Sequence, residues 1–473
     1  MKEKNGNISA SPPAWKKGSG GKEALPTGLV FFPAFDWAIS PTHPEREERL
    51  LYTRDQLFEE GVMDLPQIRQ YQPRLADHKD IARVHFCVPD IETQATEAHR
   101  VAAGGALVIA DALMKGEIKN GFALVRPPGH HAMRVAHGNR GFCNINNEPV
   151  MVEYLRQKYG LQRIAVIDTD VHHGDGTQDI YWHDPDVLFI SFHQDGRTLY
   201  PGSGFTNEIG GPLAAGTTLN VPLPPGTTDE GILFVLDNLV LPIIDEFEPE
   251  LIVNSAGQDN HYSDPLANMS FSARGYAILN EKLAPDIAVL EGGYSIETAL
   301  PYVNMGIIMA MAGIDYSNLY EPDFREDRFK EDPRNLKKLE GIVQELTAVF
   351  RRRQELVQST RLQKSGSLLQ RNRQIYYDTD QIREAQKEAL RVCPDCPGCL
   401  LIDSQASGPR GHFRVYCINI HIRCCPQCRQ EARDHYAEMC RQTKELFDYV
   451  YLQDRAADLY LQYDCHLNAE DMV

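Results

Sequence analysis

Ile164-Ala-Val-Ile167-Asp168-Thr-Asp170-Val-His172-His173-Gly-Asp175-Gly176 joins a short β-branched run to a burst of carboxylates and imidazoles. Four apolar residues are too few for an ordinary helix, so the run reads as a buried strand with the polar burst at its carboxyl end. Phe122 to Val125, Val187 to Ile190, Leu251 to Val253 and Ile287 to Leu290 repeat the pattern. They run into Arg126-Pro-Pro-Gly-His130-His131, Ser191-Phe192-His193, Ser255-Ala-Gly-Gln-Asp259-Asn-His-Tyr-Ser-Asp264-Pro and Glu291-Gly-Gly-Tyr294. Between them, Glu148 to Tyr159 and Glu230 to Phe247 have the length and apolar spacing of crossover helices. The predicted fold is α/β: an open, mostly parallel sheet with helices on both faces. Such sheets bind ligands outside the carboxyl ends of their strands, where all five polar segments collect.

Asp170 and His172 are two residues apart, so in an extended segment they point to one side. A further carboxylate, read here as Asp264, completes an oxygen-and-nitrogen zinc site with one position open for water, the mark of a catalytic metal. The adjacent His130 and His131 supply an acid and a base if carboxylates hold each ring in its tautomer, and Asp168 and Asp175 are placed to do so. Tyr294, on a Gly-Gly turn, offers a hydroxyl to the oxygen of a tetrahedral intermediate. The chemistry expected is amide hydrolysis.

These motifs resemble the histone deacetylase family of the arginase-deacetylase fold. The likeness is carried by Arg126-Pro-Pro-Gly-His-His-Ala132, Gly141-Phe-Cys143, Asp168 to Gly176, Tyr200-Pro-Gly-Ser-Gly204, Ser255-Ala-Gly257 with Asp264-Pro-Leu266, and Leu290-Glu-Gly-Gly-Tyr294; His43-Pro-Glu-Arg46 fits the family's first loop. The resemblance implies an eight-stranded parallel sheet, catalytic zinc on Asp170, His172 and Asp264, and Tyr294 polarising the scissile carbonyl of an acetylated lysine or other acetylated amine. It also implies substrate contacts from Phe142, Tyr200 and Gly292, and a potassium ion near Asp168, Ser191 and Phe192. Gln258, Asn144 to Asn147 and Phe271 depart from the family pattern where substrate is read; Phe271 stands where polyamine-selective relatives carry an acidic gate. Asp90 is the candidate for an aspartate that grips substrate backbone. An acetylpolyamine amidohydrolase and a non-enzymatic acyl-lysine reader are the alternatives, and arginase-like dimetal chemistry is disfavoured.

The 473 residues carry a formal charge of -18, distributed unevenly. Residues 1 to 320 hold 24 Lys+Arg against 41 Asp+Glu, and residues 321 to 473 hold 24 against 25. The acidic larger part favours a cationic substrate and disfavours nucleic acid. No apolar run is long enough to cross a bilayer or act as a secretion signal, so a cytoplasmic protein is expected.

Seven of eleven cysteines fall between Cys393 and Cys428, as expected of a metal cluster in a reducing compartment. Cys393-x-x-Cys396-x-x-Cys399 and Cys424-Cys425-x-x-Cys428 flank a β-like Phe413 to Ile422, which suits a structural zinc ribbon ahead of iron-sulfur or dithiol readings. The register chosen is Cys396, Cys399, Cys425 and Cys428, with His412 and His421 on the hairpin surface. The expected organisation is a disordered tail (1–27), a catalytic domain (28–320), a charged helical segment (321–391) with helices at Asn335 to Arg353 and Thr379 to Arg391, the ribbon-like module (392–430) and a helical tail (431–473). The module suits assembly or a protein partner, and an oligomer stays open.

Overall fold

Alternate residues of each apolar run bury against opposite faces of one sheet. Phe122, Leu124, Ala165, Ile167, Leu188 and Ile190 enter one core, while Ala123, Val125, Ile164, Val166, Val187 and Phe189 enter the other. Strands buried on both sides need no polar alternation, which is why they read as continuous apolar runs.

The computed structural model describes residues 25–34, 36–442 and 446–473. The expected tail therefore lies outside the described residues up to position 24, and from Thr27 the chain is already strand. In chain order the strands are β1 (Thr27–Phe32), β2 (Ile68–Tyr71), β3 (Phe86–Cys87), β4 (Asn120–Val125), β5 (Val135–Ala136), β6 (Ile164–Asp168), β7 (Val187–Gln194), β8 (Thr218–Leu223), β9 (Leu251–Ala256) and β10 (Ile287–Leu290). Eight of them form the expected sheet, in the order β2-β1-β4-β10-β9-β6-β7-β8 with every pair parallel. Helices Glu97–Met114 and Asn147–Tyr159 pack into one core, and Ala273–Leu283 and Leu300–Ala312 into the other.

The C-terminal third differs from expectation. Helices Pro333–Arg351 and Arg353–Lys364 are followed by β11 (Leu368–Tyr377), β12 (Ile382–Arg391), β13 (Cys399–Gly408), β14 (Gly411–Ile420), β15 (Tyr449–Asp454), β16 (Leu459–Asp464) and β17 (Ala469–Met472). These form a seven-stranded sheet in sequence order, antiparallel except for the β14–β15 pair. Helix Pro426–Gln442 lies in the crossover between that parallel pair. The expected helix at Thr379 to Arg391 is thus β12, and the expected helical tail gives way to three strands.

This second sheet packs against the first domain. Met133 is buried with Ile375, Tyr377, Ile382 and Ala406, and Phe86, Val88, Val135 and Leu213 are buried with Leu390, Val392, Leu400, Ile402, Val415 and Tyr451. The Tyr451 hydroxyl donates to the carbonyls of Cys87 (2.9 Å) and Pro89 (2.8 Å), and the seam is laced by Arg373–Asp179, Arg455–Glu153 and Arg423–Asp186 ion pairs. Among the described residues, no helix is long and apolar enough to cross a membrane.

Candidate active site

Glu291 Oε2 accepts hydrogen bonds from the backbone N–H groups of Gly129 (2.7 Å) and His130 (3.0 Å), which fixes where the tandem histidines leave β4. Both rings are buried, with centroids 4.1 Å apart. His130 Nδ1 faces Asp168 Oδ2 at 3.1 Å, and His131 Nδ1 faces Asp175 Oδ1 at 2.8 Å. Burial opposes a charge on either ring, yet the outcomes diverge. At His130 the Asp170 and Asp168 carboxylates outweigh burial and raise the pKa to about 10. At His131 burial prevails, the neighbouring charge of His130 adds to it, and the pKa falls to about 3 despite Asp175. Adjacent imidazoles in such unlike surroundings suit one proton donor and one acceptor.

Asp175 is itself held from the far side. Arg140 donates to its two oxygens at 2.7 and 2.6 Å, and against the opposing effect of burial Arg140 and His131 keep this carboxyl well below the usual range. Neither Arg140 nor Glu291 was singled out from sequence. Glu148, buried beside Glu291, has its pKa pushed up to about 7 by desolvation.

Asp170, His172 and Asp259 bring one ligand atom each within 4.8 Å of one another. His172 Nδ1 lies 3.1 Å from Asp170 Oδ1 and 3.0 Å from Asp259 Oδ2. The remaining oxygens are tied to backbone: Asp170 Oδ2 accepts from Gly292 N–H at 2.7 Å, and Asp259 Oδ1 from Val171 N–H at 2.9 Å. A half-buried imidazole between two backbone-fixed carboxylates fits a zinc-type divalent cation. Asp264, the expected third ligand, borders the same group: burial and the Asp259 carboxylate push its pKa up to about 7 against the opposing effect of His172. Its Oδ2 accepts from the N–H groups of Tyr294 (2.7 Å) and Ser295 (3.2 Å) and its Oδ1 from Leu266 (2.9 Å), so it also braces the tyrosine turn. Asp259, not singled out from sequence, lies on the same loop, three residues beyond Ala256 of β9.

The Gly-Gly-Tyr turn is also pinned from the N-terminal loop. Arg49, buried and paired with Glu45, donates to the carbonyls of Gly293 (2.9 Å) and Glu291 (2.6 Å), and its guanidinium lies 4.8 Å from the centre of the Tyr294 ring. Glu45 in turn accepts from Arg126 Nε at 2.7 Å. Phe142 stands edge-on to Tyr294 at 5.7 Å and to His43 at 4.3 Å, with φ at +70°, a conformation costly for a bulky residue. Tyr200 stands edge-on to His131 at 5.1 Å. Gly292 has its N–H committed to Asp170, and a Cβ there would collide with Asp259. Asp168 pairs with Ser191 in register, while the Ser191 hydroxyl meets His193 Nδ1 at 2.9 Å and the Phe192 side chain is core.

Phe271, where the sequence departs from an acidic gate, is 1 % exposed and packs on Tyr276. Asp90 caps a short helix by accepting from Thr93 N–H at 2.7 Å.

In the C-terminal module Cys393, Cys396, Cys425 and Cys428 group as potential metal ligands. Cys393 thus replaces Cys399, whose Sγ lies 3.4 Å from that of Cys424. Cys417 is buried within β14, away from the cluster. His412 meets the Ser407 hydroxyl on the exposed hairpin, as expected, but His421 is buried and lies 3.0 Å from Asp184. Asp184 and Asp186 face Arg156, Arg423 and Arg455, so that acidic pair is an ionic seam.

The histone deacetylase domain matches residues 89–307. A probable deacetylase of Archaeoglobus fulgidus is 44% identical over 325 residues, covering 63% of this chain and 89% of that protein. The chloroplastic histone deacetylase 14 of Arabidopsis thaliana is 41% identical over 212 residues, covering 42% of this chain and 49% of that protein. Among solved structures, the HDA15 HD domain superposes with a TM-score of 0.61 at 27% identity, covering 70% of this chain and 97% of that one.

Proposed function

The chain belongs to the histone deacetylase family, and from that premise we propose that it removes the acetyl group from acetyl-lysine in a protein or peptide, using zinc. The observation that carries this reading is the tandem histidine pair, each ring facing its own carboxylate, beside the half-buried His172 and two further carboxylates. Zinc on Asp170, His172 and Asp264, with Asp259 beside His172, would polarise the scissile carbonyl and acidify a water. His131, neutral at physiological pH, accepts the water's proton as its oxygen attacks the amide carbon. The Tyr294 hydroxyl donates to the carbonyl oxygen while charge develops there. His130, protonated, then delivers a proton to the lysine nitrogen as the C–N bond breaks, leaving acetate and a free amine. Asp168 and Asp175 orient the two rings throughout.

The cysteine tetrad suits a second, structural zinc, and Asp168, Ser191 and Phe192 are retained as the potassium position. The test is hydrolysis of a fluorogenic acetyl-lysine peptide by zinc-loaded protein, with acetylspermidine in parallel. Turnover of the peptide that is abolished by chelator, and that falls roughly 10²–10³-fold in kcat in Tyr294→Phe, is the expected result. Preference for acetylspermidine would redirect the substrate, and zinc-independent binding without turnover would favour a reader.

A further inference from the structure

The hairpin tip joining β11 to β12 belongs to the C-terminal sheet, yet it ends beside His131. Asp378 Oδ1 accepts from the Gly141 N–H at 2.9 Å and from the Tyr200 hydroxyl at 3.0 Å. Both partners border the histidine pair. The Tyr200 ring stands edge-on to His131 and lies 6.3 Å from His172, and a Cβ on Gly141 would collide with the His131 ring. The same tip holds the preceding residues: Asn139 N–H donates to Asp380 Oδ2 at 2.9 Å, and Arg140 Nε donates to the Tyr376 carbonyl at 3.1 Å. The segment Asn139 to Gly141 therefore hangs from the second sheet and leads directly into Phe142.

Resting on the deacylase reading above, we propose that Asp378 is a specificity-determining positioning residue, and that the C-terminal sheet is part of the catalytic unit. Asp378 touches no reacting atom. It acts by tethering one wall of the passage to His131: a tyrosine whose hydroxyl is bonded to a carboxylate keeps its ring in place, whereas a released ring samples other rotamers. The tethered wall admits a slim, unbranched amine stem. A loosened wall holds that stem poorly and tolerates a wider one.

The experiment compares the full-length, zinc-loaded protein with Asp378→Ala and Asp378→Asn. The substrates are an acetyl-lysine peptide and the same peptide bearing para-acetamidophenylalanine. Asp378→Ala is expected to raise KM for acetyl-lysine about tenfold with a smaller change in kcat, and to shrink the preference for the slim stem by a similar factor. Asp378→Asn retains an acceptor oxygen for the same two donors and recovers most of both. Peptide affinity by fluorescence anisotropy, measured in a Tyr294→Phe background, should weaken in parallel with KM, while thermal unfolding reports whether each variant is folded. Unchanged KM and preference in folded Asp378→Ala overturn the inference. If Asp378→Ala does not fold, Tyr200→Phe, which keeps the ring and loses the tether, carries the same expectation and the same refutation. Failure of the unaltered protein to turn over either substrate sinks the deacylase reading and this inference with it.

Discussion

Replacing Arg140 with leucine should uncouple the base from its support and cost measurable stability. Arg140 and Asp175 are 9% and 8% exposed at their side chains and joined by two short hydrogen bonds. Removing one partner of such a buried pair leaves a carboxylate without its counter-charge, a loss of about 3–5 kcal/mol. That corresponds to roughly a hundredfold to a few thousandfold in the folding equilibrium. The effect depends on pH in a defined direction. The folded-state pKa of Asp175 is depressed, so its contribution to stability is present above the ordinary carboxylate range and is lost as pH falls through the folded value. In Arg140→Leu the deficit is therefore largest at neutral pH and shrinks as acid protonates Asp175. Arg140 also helps to lower the pKa of His131, so its loss moves the acid limb of kcat/KM to higher pH. Urea unfolding between pH 4 and 8, with the pH profile of kcat/KM, measures both. A stability change under about 1 kcal/mol at pH 7 together with an unmoved acid limb would refute the reasoning.

Asp264→Asn should lose one equivalent of bound zinc and with it kcat; plasma emission analysis beside kinetics measures both. Cys393→Ser should lose the second equivalent and lower the melting temperature, whereas Cys399→Ser should retain the metal. Glu45→Gln leaves Arg49 and Arg126 without their shared carboxylate, and destabilisation of about 3 kcal/mol is expected from chemical denaturation.

The five central strands were legible because burial on both faces leaves only apolar residues in them. Edge strand β2, with two of its four residues exposed, carries no such run. β12 was misread for a physical reason. Its buried positions include Glu384, Gln386 and Glu388, which meet Ser404, Glu384 and Arg373 respectively, while its outward positions are Arg383, Ala385 and Lys387. Ala, Glu, Lys and Gln favour helix, and a polar inward face hides the alternation that would have argued for strand. At the site, the tandem histidines and the carboxylates beside them could be read from strand ends alone. The place of Asp259 against His172 could not, since it lies on the same loop as Asp264. Arg49, Arg140 and Asp378 were invisible because each acts through contacts 35 or more positions away in sequence.

The apolar seam between the two sheets sets an order of events during synthesis. Phe86, Val88, Met133 and Val135 leave the ribosome well before the strands that cover them. At roughly 5–20 residues per second, completing the chain beyond residue 320 takes about 10–30 s. The loop from Ala132 to Gly141 lacks its hairpin until β11 and β12 emerge, and the apolar face of the first domain stays uncovered until β13 to β15 follow. The active-site loop is therefore completed only by strands made after the domain that carries it.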